Sequence, residues 1–116
     1  MSGPIDTRRC PLRIRRDTRN LAGSRRLELV GPLDSAGAVV LASRLEHHLA
    51  EGERDVELDF SGVGFVSSAG IGTLITCIGG YRDAKGDVRL VALPDPILEV
   101  FEALQLMDYV AMEAPV

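Results

Sequence analysis

The chain contains no run of about 18 uncharged apolar residues, so it offers nothing able to cross a bilayer as a helix. Its opening stretch, MSGPIDTRRCPLRIRR, lacks the apolar segment of a signal peptide, and a cytoplasmic location without a membrane partner is expected. Cysteine is limited to Cys10 and Cys77, which form neither a CxxC pair nor a metal-spaced set. They read as two free thiols, with a redox role open for both, and no metal or cofactor is expected. Aromatic residues make up only 4% of the chain, so the arginines near the start have no stacking partners for bases.

At 116 residues there is room for one domain. Its charge is uneven. Residues 1–26 hold eight arginines against Asp6 and Asp17, whereas residues 27–116 hold five basic residues against fifteen acidic ones. Residues 1–10 read as a basic, partly mobile arm and 11–112 as the folded domain. The acidic body argues against direct DNA binding.

Hydrophobic periodicity divides the domain into alternating elements. Leu12 and Ile14 alternate with arginines as a strand, and Leu27 and Leu29 continue as a second strand after a turn over 18–24. Asp34 or Ser35 caps a helix whose stripe is Ala38, Leu41, Ala42, Leu45 and Leu49, with Gly52 as its stop. His47 and His48 are expected to face solvent near its end. Val56, Leu58 and Phe60 mark a third strand, broken at 61–64. A second helix over 69–82 buries Ile71, Leu74, Ile75 and Ile78. VRLVAL, 88–93, reads as an inner strand. Asp95 and Pro96 then open a third helix, with Asp95 as cap and Pro96 in the first position, burying Ile97, Val100, Phe101 and Leu104. Residues 107–112 add a short last strand. The pattern predicts an α/β domain with a mixed, mostly parallel sheet of four to five strands, an opening β-hairpin, and helices packed on the sheet.

Catalytic patterns fail on inspection. A nucleophile elbow requires Gly-x-Ser-x-Gly, but Phe65 and Val66 stand where the glycine would precede Ser67 or Ser68. Gly62-Val63-Gly64 begins a dinucleotide fingerprint, yet its third glycine is replaced by Ser67. No lysine is present nearby for a phosphate loop. The chain does not read as an enzyme.

The junction DFSGVGFVSSAGIGTL, 59–74, is informative for another reason. Ser68 reads as the N-cap of the second helix, where a phosphate would meet free N–H donors and the positive helix end. The face opposite the buried stripe carries Gly72, Thr73, Thr76 and Gly80, with Ala69 near its start. No charged residue occurs from Ala69 to Tyr81. Exposed helix faces normally carry charge. Either another layer of the same domain covers this face, or it is a docking surface that a charge at Ser68 can close.

Three segments resemble the anti-sigma factor antagonists of the STAS domain family: Gly31-Pro32-Leu33-Asp34, the stretch from Asp59 to Gly72, and Asp95-Pro96-Ile97 through Leu104. The resemblance implies a STAS-like domain that binds an anti-sigma factor, often a serine kinase, and thereby releases a sigma factor. It implies phosphorylation at Ser68 by that kinase, reversal by a serine phosphatase, and a role for Asp34 beside the acceptor. A monomer or weak dimer is expected. Two positions depart from the family pattern. Ser67 stands where an aspartate is usual and Ala69 where a second serine is usual, so Ser67 is an alternative acceptor and an unphosphorylated, permanently competent protein is a further alternative. The competing class is a STAS-type ligand-sensing or scaffolding module.

Overall fold

The computed structural model describes residues 12–106 and the backbone at 111–112. Eight elements follow in order: β1 (Arg13–Arg19), β2 (Arg25–Val30), α1 (Ser35–Ala50), β3 (Asp55–Gly62), α2 (Ser68–Asp83), β4 (Asp87–Val91), α3 (Asp95–Ala103) and β5 (Ala111–Met112). The strands form one sheet in sequence order. β1 and β2 pair antiparallel as the expected hairpin, and the remaining pairs are parallel. Right-handed crossovers that step across the sheet in one direction set all three helices on a single face.

That face holds the core. Leu27, Leu29, Leu58, Phe60, Val88 and Leu90 from the strands meet Leu41, Leu45, Leu74, Ile78, Ile97 and Phe101 from the helices. Tyr81 joins them, and its buried hydroxyl donates 2.7 Å to the Leu45 carbonyl, tying α2 to α1. The opposite face is a lattice of charges. Arg26 reaches both Glu57 and Asp59, Arg89 lies 2.8 Å from Glu57, and Arg15 lies 2.8 Å from Glu28. The alternation that marked β3 as a strand is thus correct, although Glu57 and Asp59 are themselves buried.

Several boundaries differ from expectation for local reasons. β1 runs on to Arg19, so the turn begins at Asn20, whose side-chain oxygen accepts from the Ser24 N–H at 2.9 Å. β3 continues to Gly62 because Gly31 donates to the Gly62 carbonyl at 2.9 Å. β4 stops at Val91, since Ala92 adopts a positive φ of 56°. Pro94, not Asp95, is the cap position of α3, and it offers no side-chain bond. Leu104 follows the last turn of α3 and is 52% exposed, so it is no part of the core stripe.

His48 is the clearest departure. It is buried, and its Nε2 sits 2.7 Å from Asp17 of β1. Arg44 lies 2.7 Å and Arg25 2.8 Å from the same carboxylate. Burial works against ionisation of Asp17, but the hydrogen bonds from His48 and Arg44 outweigh it and hold the carboxyl below its ordinary range. His47 is exposed, as expected. The arm, Cys10 and residues 107–110 lie outside the described residues.

Candidate docking site at the head of the second helix

Two helix N-termini are brought side by side by a single pairing. Leu33, just before α1, bridges in parallel to Val66, just before α2. The Leu33 N–H donates to the Phe65 carbonyl at 2.8 Å, and the Ser67 N–H donates to the Leu33 carbonyl at 3.0 Å. Asp34 and Ser67 follow their respective bridge residues and cap the two helices. The Asp34 carboxylate accepts from the Gly37 N–H at 2.8 Å, and the Ser67 hydroxyl accepts from the Gly70 N–H at 3.1 Å.

The N-cap of α2 is therefore Ser67 and not Ser68. Ser67 is half-buried, with its hydroxyl also 3.5 Å from the Leu33 carbonyl. Ser68 is the first helical residue and is exposed, and its hydroxyl makes no hydrogen bond among the described residues. A neutral cap is the physical consequence of serine at 67. An aspartate there would bring a negative charge to the positive helix end. With Ser67, that end keeps its full attraction for an incoming anion.

Gly70 explains why the junction is so tight. A Cβ at this position would overlap the Leu33 carbonyl. The close approach of α2 to the Leu33 strand end requires glycine. Gly72 and Gly79 differ, because a Cβ at either would meet nothing within 4 Å. No packing among the described residues accounts for them.

The outward face of α2 divides in two. Ala69, Gly72 and Thr76 are exposed, and the Thr76 hydroxyl donates back to the Gly72 carbonyl at 3.0 Å. Thr73, Cys77 and Gly80 are half-buried and turn toward α1. The expectation that another layer covers this face is thus correct for one edge, where α1 is that layer. Between the two helices lies an open cleft of about 510 Å³, walled by Ala42 and Glu46 on one side and by Ala69, Gly72, Thr73, Thr76 and Cys77 on the other. It continues toward the helix heads past Val39, which is 70% exposed. Phe65, 54% exposed, stands on the loop entering α2.

The α1 wall was missed in the sequence. Val39 falls outside the buried stripe of α1, and an apolar residue on an exposed side was the available signal. Cys77 belongs to this cleft, but burial, with the nearby Glu46 charge, pushes its thiol up to about 11. It stays protonated at neutral pH, where a thiol is a weaker nucleophile than a thiolate.

No helix among the described residues is long and apolar enough to cross a membrane. Residues 18–112 match the family model of the Mlab, STAS domain. BtrV of Bordetella bronchiseptica, a protein named as an anti-sigma factor antagonist, is 34% identical over 74 residues, and the chain spans 64% of that relative's length and 64% of its own. An anti-sigma factor antagonist from Mycobacterium paratuberculosis shares the fold with a TM-score of 0.74 at 15% identity, covering 93% of this chain and 89% of that one. Bacillus SpoIIAA in its phosphorylated form aligns with a TM-score of 0.66 at 17% identity, covering 90% and 91%. The match over most of the chain gives the assignment: the chain belongs to the STAS domain family.

Proposed function

We propose that this protein is an anti-sigma factor antagonist, that its partner is a serine-kinase anti-sigma factor, and that phosphorylation of Ser68 switches it off until a serine phosphatase restores it. The partner docks on the head and outward face of α2, across Asp34, Ser67, Ser68, Ala69, Gly72, Thr73, Thr76 and Gly80. Docking frees a sigma factor from the anti-sigma factor.

One observation carries the choice of acceptor. Of the two adjacent serines, Ser67 spends its hydroxyl as a cap, whereas the Ser68 hydroxyl is exposed and free of hydrogen bonds among the described residues. A kinase can reach Ser68 without uncapping the helix. A phosphate there adds about −1.5 to −2 charge beside the N–H groups of the first turn, so the helix is retained. The same charge lies on the surface that the partner must cover. A desolvation penalty of about 3 kcal/mol weakens binding more than a hundredfold. The alternative acceptor, Ser67, has to give up its bond to Gly70 first. BtrV, named as an anti-sigma factor antagonist, and the phosphorylated SpoIIAA structure support the reading.

The test is to incubate the full chain with kinase-type anti-sigma factors and ATP and to locate the phosphate by mass spectrometry. The expected result is one phosphate, on Ser68, lost in Ser68→Ala and kept in Ser67→Ala. A companion substitution checks the face itself. Thr76→Lys is expected to weaken partner binding at least tenfold with little change in stability, because Thr76 is exposed. Normal binding by Thr76→Lys would remove this face from the dock.

A further inference from the structure

β1 is an edge strand of the sheet, and it brings little of its own to the core. From Arg13 to Arg19, only Ile14 and Asp17 are turned from solvent. They are three residues apart, which an unbroken strand would place on opposite faces. A register shift between Ile14 and Arg16 changes this. It sets Ile14 opposite Leu29 and Asp17 opposite Leu27, both buried leucines of β2. Without the shift, Arg16 would stand opposite Leu27. The irregularity therefore aims a carboxylate at the helical layer, where an apolar side chain is the ordinary occupant.

Three side chains converge on that carboxylate. His48 and Arg44 of α1 each lie 2.7 Å from it, and Arg25 of β2 lies 2.8 Å away. Two further ionisable groups border the cluster. Glu53 is 3.8 Å from Arg25 and 2.6 Å from Arg19, and His47 lines the same hollow and lies 3.7 Å from Glu51. Asp17 Oδ1 and Arg25 Nε are buried, yet neither completes a hydrogen bond among the described residues. That contact is held by charge. A neutral Asp17 leaves Arg44 without a counter-charge, and Arg25 with only the more distant Glu53. The start of the strand is fixed differently. Leu12 is buried beside the first turn of α1, where a Cβ on Gly37 would come within 3.0 Å of it. Beyond its pairing with β2, the strand is thus held by Leu12 and Ile14 at one end and by one carboxylate near the other.

We infer that β1 is a releasable strand latched to α1 by the Asp17 carboxylate, and that neutralising Asp17 lets it open while β2, β3 and β4 stay folded. A paired buried carboxylate adds little net stability, but its loss leaves its partners uncompensated. Closure of the strand therefore depends on one charge, which an apolar residue at this position would not impose. The dependence has a sign. Burial opposes ionisation of Asp17, but His48 and Arg44 hold it below its ordinary range. The latch is therefore closed at neutral pH, and loosens as pH falls below about 4 toward the folded value. This device is separate from the Ser68 switch and does not depend on the functional reading above.

The experiment is native-state hydrogen exchange of the full chain, read by mass spectrometry as protection factors. In Asp17→Asn at neutral pH, amides of 13–19 are expected to lose about tenfold in protection or more, while 55–62 and 87–91 stay within about twofold of wild type. Arg15→Gln breaks the exposed pair with Glu28 on the same strand, and is expected to change β1 by less than about twofold. Arg44→Gln leaves His48 and Arg25 on the carboxylate, and decides the matter if Asp17→Asn fails to fold. Its expected effect is a loss of about threefold, confined to β1. Between about pH 5 and about pH 3, wild-type β1 is expected to lose severalfold more protection than β3, and this excess is expected to vanish in Asp17→Asn. Equal losses in β1 and β3 would mean that the strand opens only with the whole domain, and would overturn the inference. Wild-type protection of β1 in Asp17→Asn would overturn it as well.

Discussion

Ser67 and Ser68 are chemically identical and adjacent, yet the fold gives them different work. Ser67 holds the end of α2, with its hydroxyl 3.1 Å from the Gly70 N–H. Ser68 holds nothing. The difference predicts a split in stability. Ser67→Ala is expected to cost about 1 kcal/mol in chemical denaturation, the usual worth of an N-cap, and Ser68→Ala to change little. Equal losses would mean that the cap assignment is wrong. The sequence alone pointed to Ser68 as cap, one residue late. The register of the junction is set from a distance, by the Ser67 N–H bonding to the Leu33 carbonyl. No local pattern carries that information. His48 was misread for a similar reason. It lies three residues after Leu45 on the buried side of α1, but its partner, Asp17, is in a strand 31 residues earlier. Asp34, in contrast, was legible as one of two candidate caps, with Ser35, because its partner, the Gly37 N–H, is three residues away.

At the level of the element, α2 concentrates the peculiarities of the chain. Its buried stripe of Ile71, Leu74 and Ile78 was readable from period alone, and only Ile75 is less covered than expected. Its glycines do not differ from one another in the sequence. The backbone separates them. Gly70 lies against the Leu33 carbonyl, whereas Gly72 faces open space. Gly70→Ala is expected to destabilise the domain, because the contact is with backbone that cannot step aside. Gly72→Ala is expected to stabilise it by up to about 1 kcal/mol through helix propensity. Thermal or urea denaturation of the two variants decides, and a loss at Gly72 would contradict the account. A glycine that costs stability and packs against nothing is consistent with a surface kept low for a partner.

Across the whole molecule, the sheet separates two kinds of chemistry. The helical face is apolar and the open face is ionic. The order of strands and helices, and so the mixed, mostly parallel sheet, was legible from alternating periods. The ionic lattice was not, because Glu57 and Asp59 alternate with apolar residues as surface positions do. They are buried only because Arg26 and Arg89 arrive from neighbouring strands. Burial opposes ionisation of Glu57, but bonds from Arg89 and Arg26 prevail and lower its pKa, as happens for Asp17. A carboxyl that titrates lower when folded contributes stability above its unfolded pKa of about 4, and loses it as pH falls through the folded value. Stability is therefore expected to hold from neutral pH down to about pH 5 and to decline below it. Glu57→Gln is expected to lower stability at neutral pH and to make that acid decline shallower in urea melts. An unaltered acid limb would show that the lattice is not its source.

The central claim is that charge at the exposed head of α2 expels a protein partner without disturbing the domain that bears it. Its most direct test compares the affinity of the anti-sigma factor for unmodified protein and for protein phosphorylated stoichiometrically at Ser68, with far-UV circular dichroism on both. The account predicts binding more than about a hundredfold weaker for the phosphorylated form, with superimposable spectra. Equal affinities for the two forms, or a loss of affinity that comes with a loss of helix signal, would contradict it.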